Sequence, residues 1–150
     1  MIRLISLLLI TIACCNHVYS QTANYKVLAS ESTTCNNIKL ELIVYGQSKK
    51  KLDAEAQCAA VRAVLFDGCP NSPYSKPLME DGEVTSIEKY PLYFERLYGG
   101  RYADFIASFG ATSAFKKGDK QKGTEYTIEV KVLKLRKDLE KNRIRRNLGI

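Results

Sequence analysis

The sequence predicts an α+β domain: a mostly antiparallel sheet of about four strands in two hairpins, with an Ala-rich helix and two shorter helices packed on one face. Three observations carry that expectation. Ile38, Leu40, Leu42 and Val44 alternate with Lys39, Glu41, Ile43 and Tyr45, and Tyr126, Ile128, Val130 and Val132 alternate with Thr127, Glu129 and Lys131. Period two with one apolar face is the pattern of a half-buried strand. Between these stretches, residues 50–66 are rich in Ala and other strong helix formers.

In chain order, Arg3 precedes the apolar run Leu4 to Cys15. A bilayer-spanning helix needs about 20 apolar residues and the apolar region of a signal peptide about 7–15, so the run reads as a signal peptide. Val18-Tyr19-Ser20 sets compact residues before a cut at Gln21, giving residues 1–20 as leader and 21–150 as one domain. The competing reading is a lipid anchor at Cys14, but Thr11 stands where a lipobox has Leu.

Tyr25, Val27 and Ala29 give a weak first strand, and Thr33 to Asn37 is turn chemistry leading to the second. Ser48 is placed to cap a helix over Lys50 to Phe66, with Ala54, Cys58, Val61 and Leu65 on one face and Gly68 ending it. Cys69 to Val84 holds three of the four prolines and reads as a long loop. Pro91 opens a short helix through Tyr98, and Phe105, Ala107, Phe109 and Ala111 alternate in a third strand over Ala103 to Phe115. Lys116 to Gly123 joins it to the fourth strand, and Leu135 and Leu139 mark a closing amphipathic helix over Leu133 to Asn142.

The chain has 23 Lys and Arg against 16 Asp and Glu, net +7. Residues 116–150 carry 12 basic and 5 acidic residues, so the excess lies at the end of the chain, densest at Arg143, Arg145 and Arg146. A solvated surface is the ordinary meaning of such a run, and an anionic lipid or glycan its alternative partner. For an exported protein, no nucleic acid partner is expected.

The only histidine, His17, lies in the leader. Triads and Cys–His pairs need a base near neutrality, most often His. No nucleophile elbow, phosphate loop or dinucleotide fingerprint is present. Three scattered cysteines, Cys35, Cys58 and Cys69, make no zinc site. No catalytic residue, metal or cofactor is expected, and only a carboxylate-based hydrolase stays open as an enzyme. A Cys35–Cys69 disulfide and three free thiols both remain open, whereas Cys58 and Cys69 are separated by the end of a helix.

Seven aromatic residues fall between Tyr90 and Phe109. Two readings are weighed: Phe94, Phe105 and Phe109 as core with tyrosines at its rim, or Tyr90, Tyr93, Tyr98 and Tyr102 as anchors for a partner.

With the hairpin, the stretch AEAQCAAVRAVLFDG, the Lys76-Pro77-Leu78 loop and the closing LRKDLEKNRI, the chain resembles a group of small exported proteins of Gram-negative bacteria. More loosely, it is similar to the amino-terminal modules of envelope lipoproteins and of flagellar-accessory or curli-secretion proteins. The resemblance spans most of residues 25–144 in the order of elements. It implies a non-enzymatic role in the periplasm or at the outer membrane, through contact with an envelope protein.

Overall fold

The computed structural model describes residues 24–34, 36–45, 49–113 and 123–145. Its strands are β1 (Tyr25–Thr34), β2 (Asn37–Val44), β3 (Ile106–Ala111) and β4 (Thr124–Val130). Its helices are α1 (Lys49–Arg62), α2 (Glu83–Lys89), α3 (Pro91–Tyr98) and α4 (Val132–Lys141). The four strands form one sheet in the order β1-β2-β4-β3, with every pairing antiparallel. The α+β class and both hairpins are as the sequence predicts, and the second and fourth strands meet at the centre.

The alternation explains the layers. Ile38, Leu40, Leu42 and Val44 turn to the same face as Tyr126, Ile128 and Val130, and all are buried. Lys39, Glu41, Glu125 and Glu129 point to the opposite, solvated face. The α1 helix crosses the buried face over β2, β4 and β3. Its buried stripe is Leu52, Ala56, Ala59 and Ala60, and the small side chains let backbone and sheet approach closely. This corrects the expected face. Val61 and Leu65 are indeed fully buried, but Ala54 and Cys58 are only half-buried.

The end of α1 widens into a π-turn, Ala63–Asp67, closed by the Gly68 amide donating to the Ala63 carbonyl at 2.9 Å. Gly68 has φ 76°, and a Cβ there would lie 2.5 Å from the Ser75 carbonyl oxygen. Only glycine fits both conditions. The following loop folds back on the helix it leaves: the Leu78 and Met79 amides donate to the Val64 and Leu65 carbonyls at 3.3 and 2.8 Å. Leu78 and Met79 are buried as a result.

Three further differences from expectation stand out. The proline-rich loop ends at Gly82, and α2 follows it, so the described residues hold three shorter helices and not two. The third strand is shorter than Ala103 to Phe115, because Arg101–Phe105 is a 3-10 turn. Finally, Phe109 is 49% exposed rather than core, while Phe94 and Phe105 are buried.

Candidate interaction surface

An antiparallel sheet of four strands has two edges, each presenting a row of unpaired backbone groups. In this sheet the two edges are treated differently. β1 carries register shifts at Val27/Ala29 and Ser32/Thr34, and its exposed residues include Lys26 and Glu31. Bulges and charges are the usual devices that keep an edge from pairing. Two side chains of β1 are also tied to the segment that follows α1. The Tyr25 hydroxyl donates to Asp67 Oδ2 at 2.9 Å, and the Ser30 hydroxyl donates to the Pro70 carbonyl. Between those two ties lies a groove of about 490 Å³, walled by Val27, Leu28 and Ala29 on one side and by Gly68, Pro70 and Asn71 on the other.

Among the described residues, β3 has fewer of these guards. Its sequence, IASFGA, contains no charge and no proline, and its one register shift falls at its start, between Ile106 and Ser108. Ile106 is half-buried and the other five residues are exposed. The Thr112 amide donates to the Glu125 carbonyl at 2.8 Å, in register with the ladder that pairs Gly110 with Thr127 and Ser108 with Glu129. Residues along a strand alternate in the direction of their backbone groups. The N–H and C=O of Phe109 and Ala111 therefore point away from β4, off the open edge. Phe109 lies on the helix side of the sheet with Ile128, and Ser108 on the solvated side with Glu129. Glu129 also accepts from the Thr33 hydroxyl at 2.8 Å and from Asn37 Nδ2 at 3.0 Å, and these bonds hold its carboxyl below the ordinary range.

The tyrosines singled out in the sequence have a different task. Tyr93 is buried, and its hydroxyl donates to Asp138 Oδ2 at 2.9 Å, where Arg101 also binds the other carboxylate oxygen. Tyr98 is half-buried and donates to Glu83 Oε1 at 2.8 Å. Glu83 Oε2 lies 2.6 Å from Arg62 Nη2, and the Arg62 guanidinium sits 5.8 and 5.9 Å from the ring centres of Tyr25 and Tyr98. This arginine–carboxylate–tyrosine cluster ties α1, α2, α3 and β1 together. Tyr90 and Tyr102 are half-buried against the core. The rim of tyrosines is thus mostly packing, as the first of the two readings has it, with Phe109 moved from core to surface.

Burial and neighbouring carboxylates raise the phenol pKa values of Tyr25, Tyr93, Tyr98 and Tyr126. A raised folded-state pKa gives stability that is complete below the unfolded value and is lost as pH climbs toward the folded one. Stability should therefore fall steeply above about pH 10, the ordinary tyrosine pKa. Phenolate absorbance should appear together with the loss of circular dichroism. Phenols that ionise near their ordinary pKa while the fold stays intact would contradict these hydrogen bonds, the fourth being from Tyr126 to Asp53 Oδ1 at 2.7 Å.

Cys69 is buried and Cys58 half-buried, and both are free thiols. Burial pushes each thiol up to about 11, so neither is a nucleophile at neutral pH. Cys35 lies outside the described residues, as do Cys14 and the leader. Of the basic tail, Arg143 is exposed, Arg145 is half-buried and Arg146 lies outside the described residues. On α4, Lys134, Lys137 and Lys141 are exposed on one side. Lys134 donates to the Asp104 carbonyl at 3.0 Å. Among the described residues no group of His, Cys, Asp and Glu is placed to hold a metal ion, and no helix is long and apolar enough to cross a membrane.

No protein-family profile matches the chain, and neither curated proteins nor solved structures give a match.

Proposed function

We propose that this protein is an exported, non-catalytic domain of the cell envelope that acts by contact with another protein chain, through the open edge of β3. The observation that carries the reading is the contrast between the two edges of one sheet. β1 has two register shifts, carries charge and is tied by two side chains to the segment after α1, while β3 has one shift, at its start, and is uncharged and exposed along five of its six residues. Strand addition to such an edge uses main-chain hydrogen bonds for affinity and alternate side chains for specificity. Export rests on the leader-like run Leu4 to Cys15, and the envelope on the resemblance to small exported proteins. The two unreactive thiols and the tyrosines committed to internal carboxylates agree with a binding role.

The test is capture from an envelope extract by wild type and by Ala111→Pro. The Ala111 amide faces off the sheet, so proline there removes one edge donor and spares the ladder to β4. Wild type should recover a stoichiometric chain and Ala111→Pro should lose it. Equal recovery by both would move the contact elsewhere.

A second reading has one observation of its own: Lys134, Lys137 and Lys141 are exposed along α4, with Arg143 just beyond. An anionic lipid or glycan is the ligand such a stripe fits. Retention on anionic vesicles that vanishes with salt, and with a Lys137→Ser, Lys141→Ser double variant, would favour it. Retention unchanged by that variant would reject it.

A further inference from the structure

We infer that the occupant of the β3 edge is a second copy of this chain, paired antiparallel about a two-fold axis at Phe109 into a continuous eight-stranded sheet. This rests on the reading that β3 is the contact element, and adds the partner.

The outward groups of β3 belong to Phe109 and Ala111. In a two-fold antiparallel pair, Phe109 meets its own copy and exchanges both hydrogen bonds with it. The side chains agree with that register. On the solvated face, Ser108 comes opposite Gly110 of the partner copy, and neither is large enough to clash. On the helix face, the two Phe109 rings become direct cross-strand neighbours, the kind of aromatic pair that stabilises a sheet. Each ring is now half exposed, at a margin of the sheet that the helix layer leaves uncovered. The two-fold axis is perpendicular to the sheet, so both helix layers stay on one side and both solvated faces on the other.

The charge pattern is compatible with this occupant and disfavours a charged foreign strand. An isologous interface places every residue opposite a residue of the same chain, so any charge near the axis meets its like. β3 has no charge to repel its copy. β1, the edge with Lys26 and Glu31, has two register shifts and two side-chain ties to the segment after α1. An uncharged strand is also matched by an uncharged one, since a charged partner strand would find no counter-charge on β3.

The experiment is analytical ultracentrifugation of the purified protein across a concentration series, with Ala111→Pro and Phe109→Lys beside wild type. Phe109→Lys sets two ammonium groups against each other at the axis and leaves the core untouched, because Phe109 is outside it. Wild type should sediment as a dimer, and each variant should weaken dimerisation at least about tenfold, about 1.4 kcal/mol, while keeping the wild-type circular dichroism. A wild type that stays monomeric up to about 100 μM overturns the proposal, as does a dimer that both variants leave intact. Envelope capture separates the two levels. A monomeric wild type whose capture is lost in Ala111→Pro means a foreign strand occupies the edge, so the functional reading stands and the second copy falls. A monomeric wild type with capture unchanged removes both.

Discussion

Val61→Asp should abolish the cooperative thermal transition of this domain. Val61 is fully buried near the end of α1, within the cluster that includes Leu65, Phe94 and Leu97. A carboxylate there would lose its hydration with no cation or donor arranged to receive it, and an isolated buried charge is among the most destabilising changes a domain can suffer. Typical domains are stable by only about 5–15 kcal/mol, so this single change is large enough to unfold the chain. Val61→Ala is the matched control. It removes packing alone, at about 2 kcal/mol, and should keep a cooperative melt at lower temperature. A melt of Val61→Asp that coincides with wild type would place this side of the helix at the surface.

Glu83→Ala is expected to be the most damaging change outside the apolar core. The Arg62 side chain is 8% exposed and lies 2.6 Å from the Glu83 carboxylate, whose other oxygen accepts from Tyr98. Burial disfavours the guanidinium charge, yet the hydrogen bond and charge of Glu83 raise the Arg62 pKa overall. Removing the carboxylate takes the main counter-charge from a desolvated cation, at a cost of about 3 kcal/mol. Glu83→Gln should lose less, because it keeps a hydrogen-bonding group of the same shape. The pair Arg62→Met, Glu83→Ala should recover part of the loss of Glu83→Ala alone, which a double-mutant cycle reads directly. Denaturation of Glu83→Ala within about 0.5 kcal/mol of wild type would mean the pair is solvated.

These two variants probe different levels of what the sequence makes legible. The core strands are readable because β2 and β4 are buried on one face only, which writes period two into their residues. Pro91 and Gly68 are readable because each satisfies a backbone demand at its own position. The face of α1 is harder to read. In a helix with Ala at 54, 56, 59, 60 and 63, apolar small residues lie on nearly every side, so periodicity alone does not choose between Ala54 and Ala56. The α2 helix leaves still less trace. Its buried residue is Ser86, which donates to the Gly82 carbonyl at 2.6 Å, while Val84 is 71% exposed.

The same physics explains why the interaction surface was not legible. Alternation in Phe105, Ala107, Phe109 and Ala111 looks like a buried face, but a strand at the margin of a sheet keeps the pattern without the cover. Only the strand order reveals that β3 is an edge and β4 is central. Likewise, the carboxylates that occupy Tyr25, Tyr93 and Tyr98 come from 42, 45 and 15 residues away, beyond any local pattern. The aromatic cluster was visible in the sequence, whereas its commitment to internal hydrogen bonds was not. The basic tail was visible too, and part of it lies outside the described residues.

The central claim is that the β3 edge is where this protein meets another chain, and amide hydrogen exchange at single residues tests it most directly. The Gly110 and Thr112 amides, facing β4, should be protected at every concentration. The Phe109 and Ala111 amides, facing off the sheet, should exchange freely in dilute protein and become protected as concentration rises or a captured partner is added. Protection of Phe109 and Ala111 that never changes, while a partner is demonstrably bound, would contradict the account.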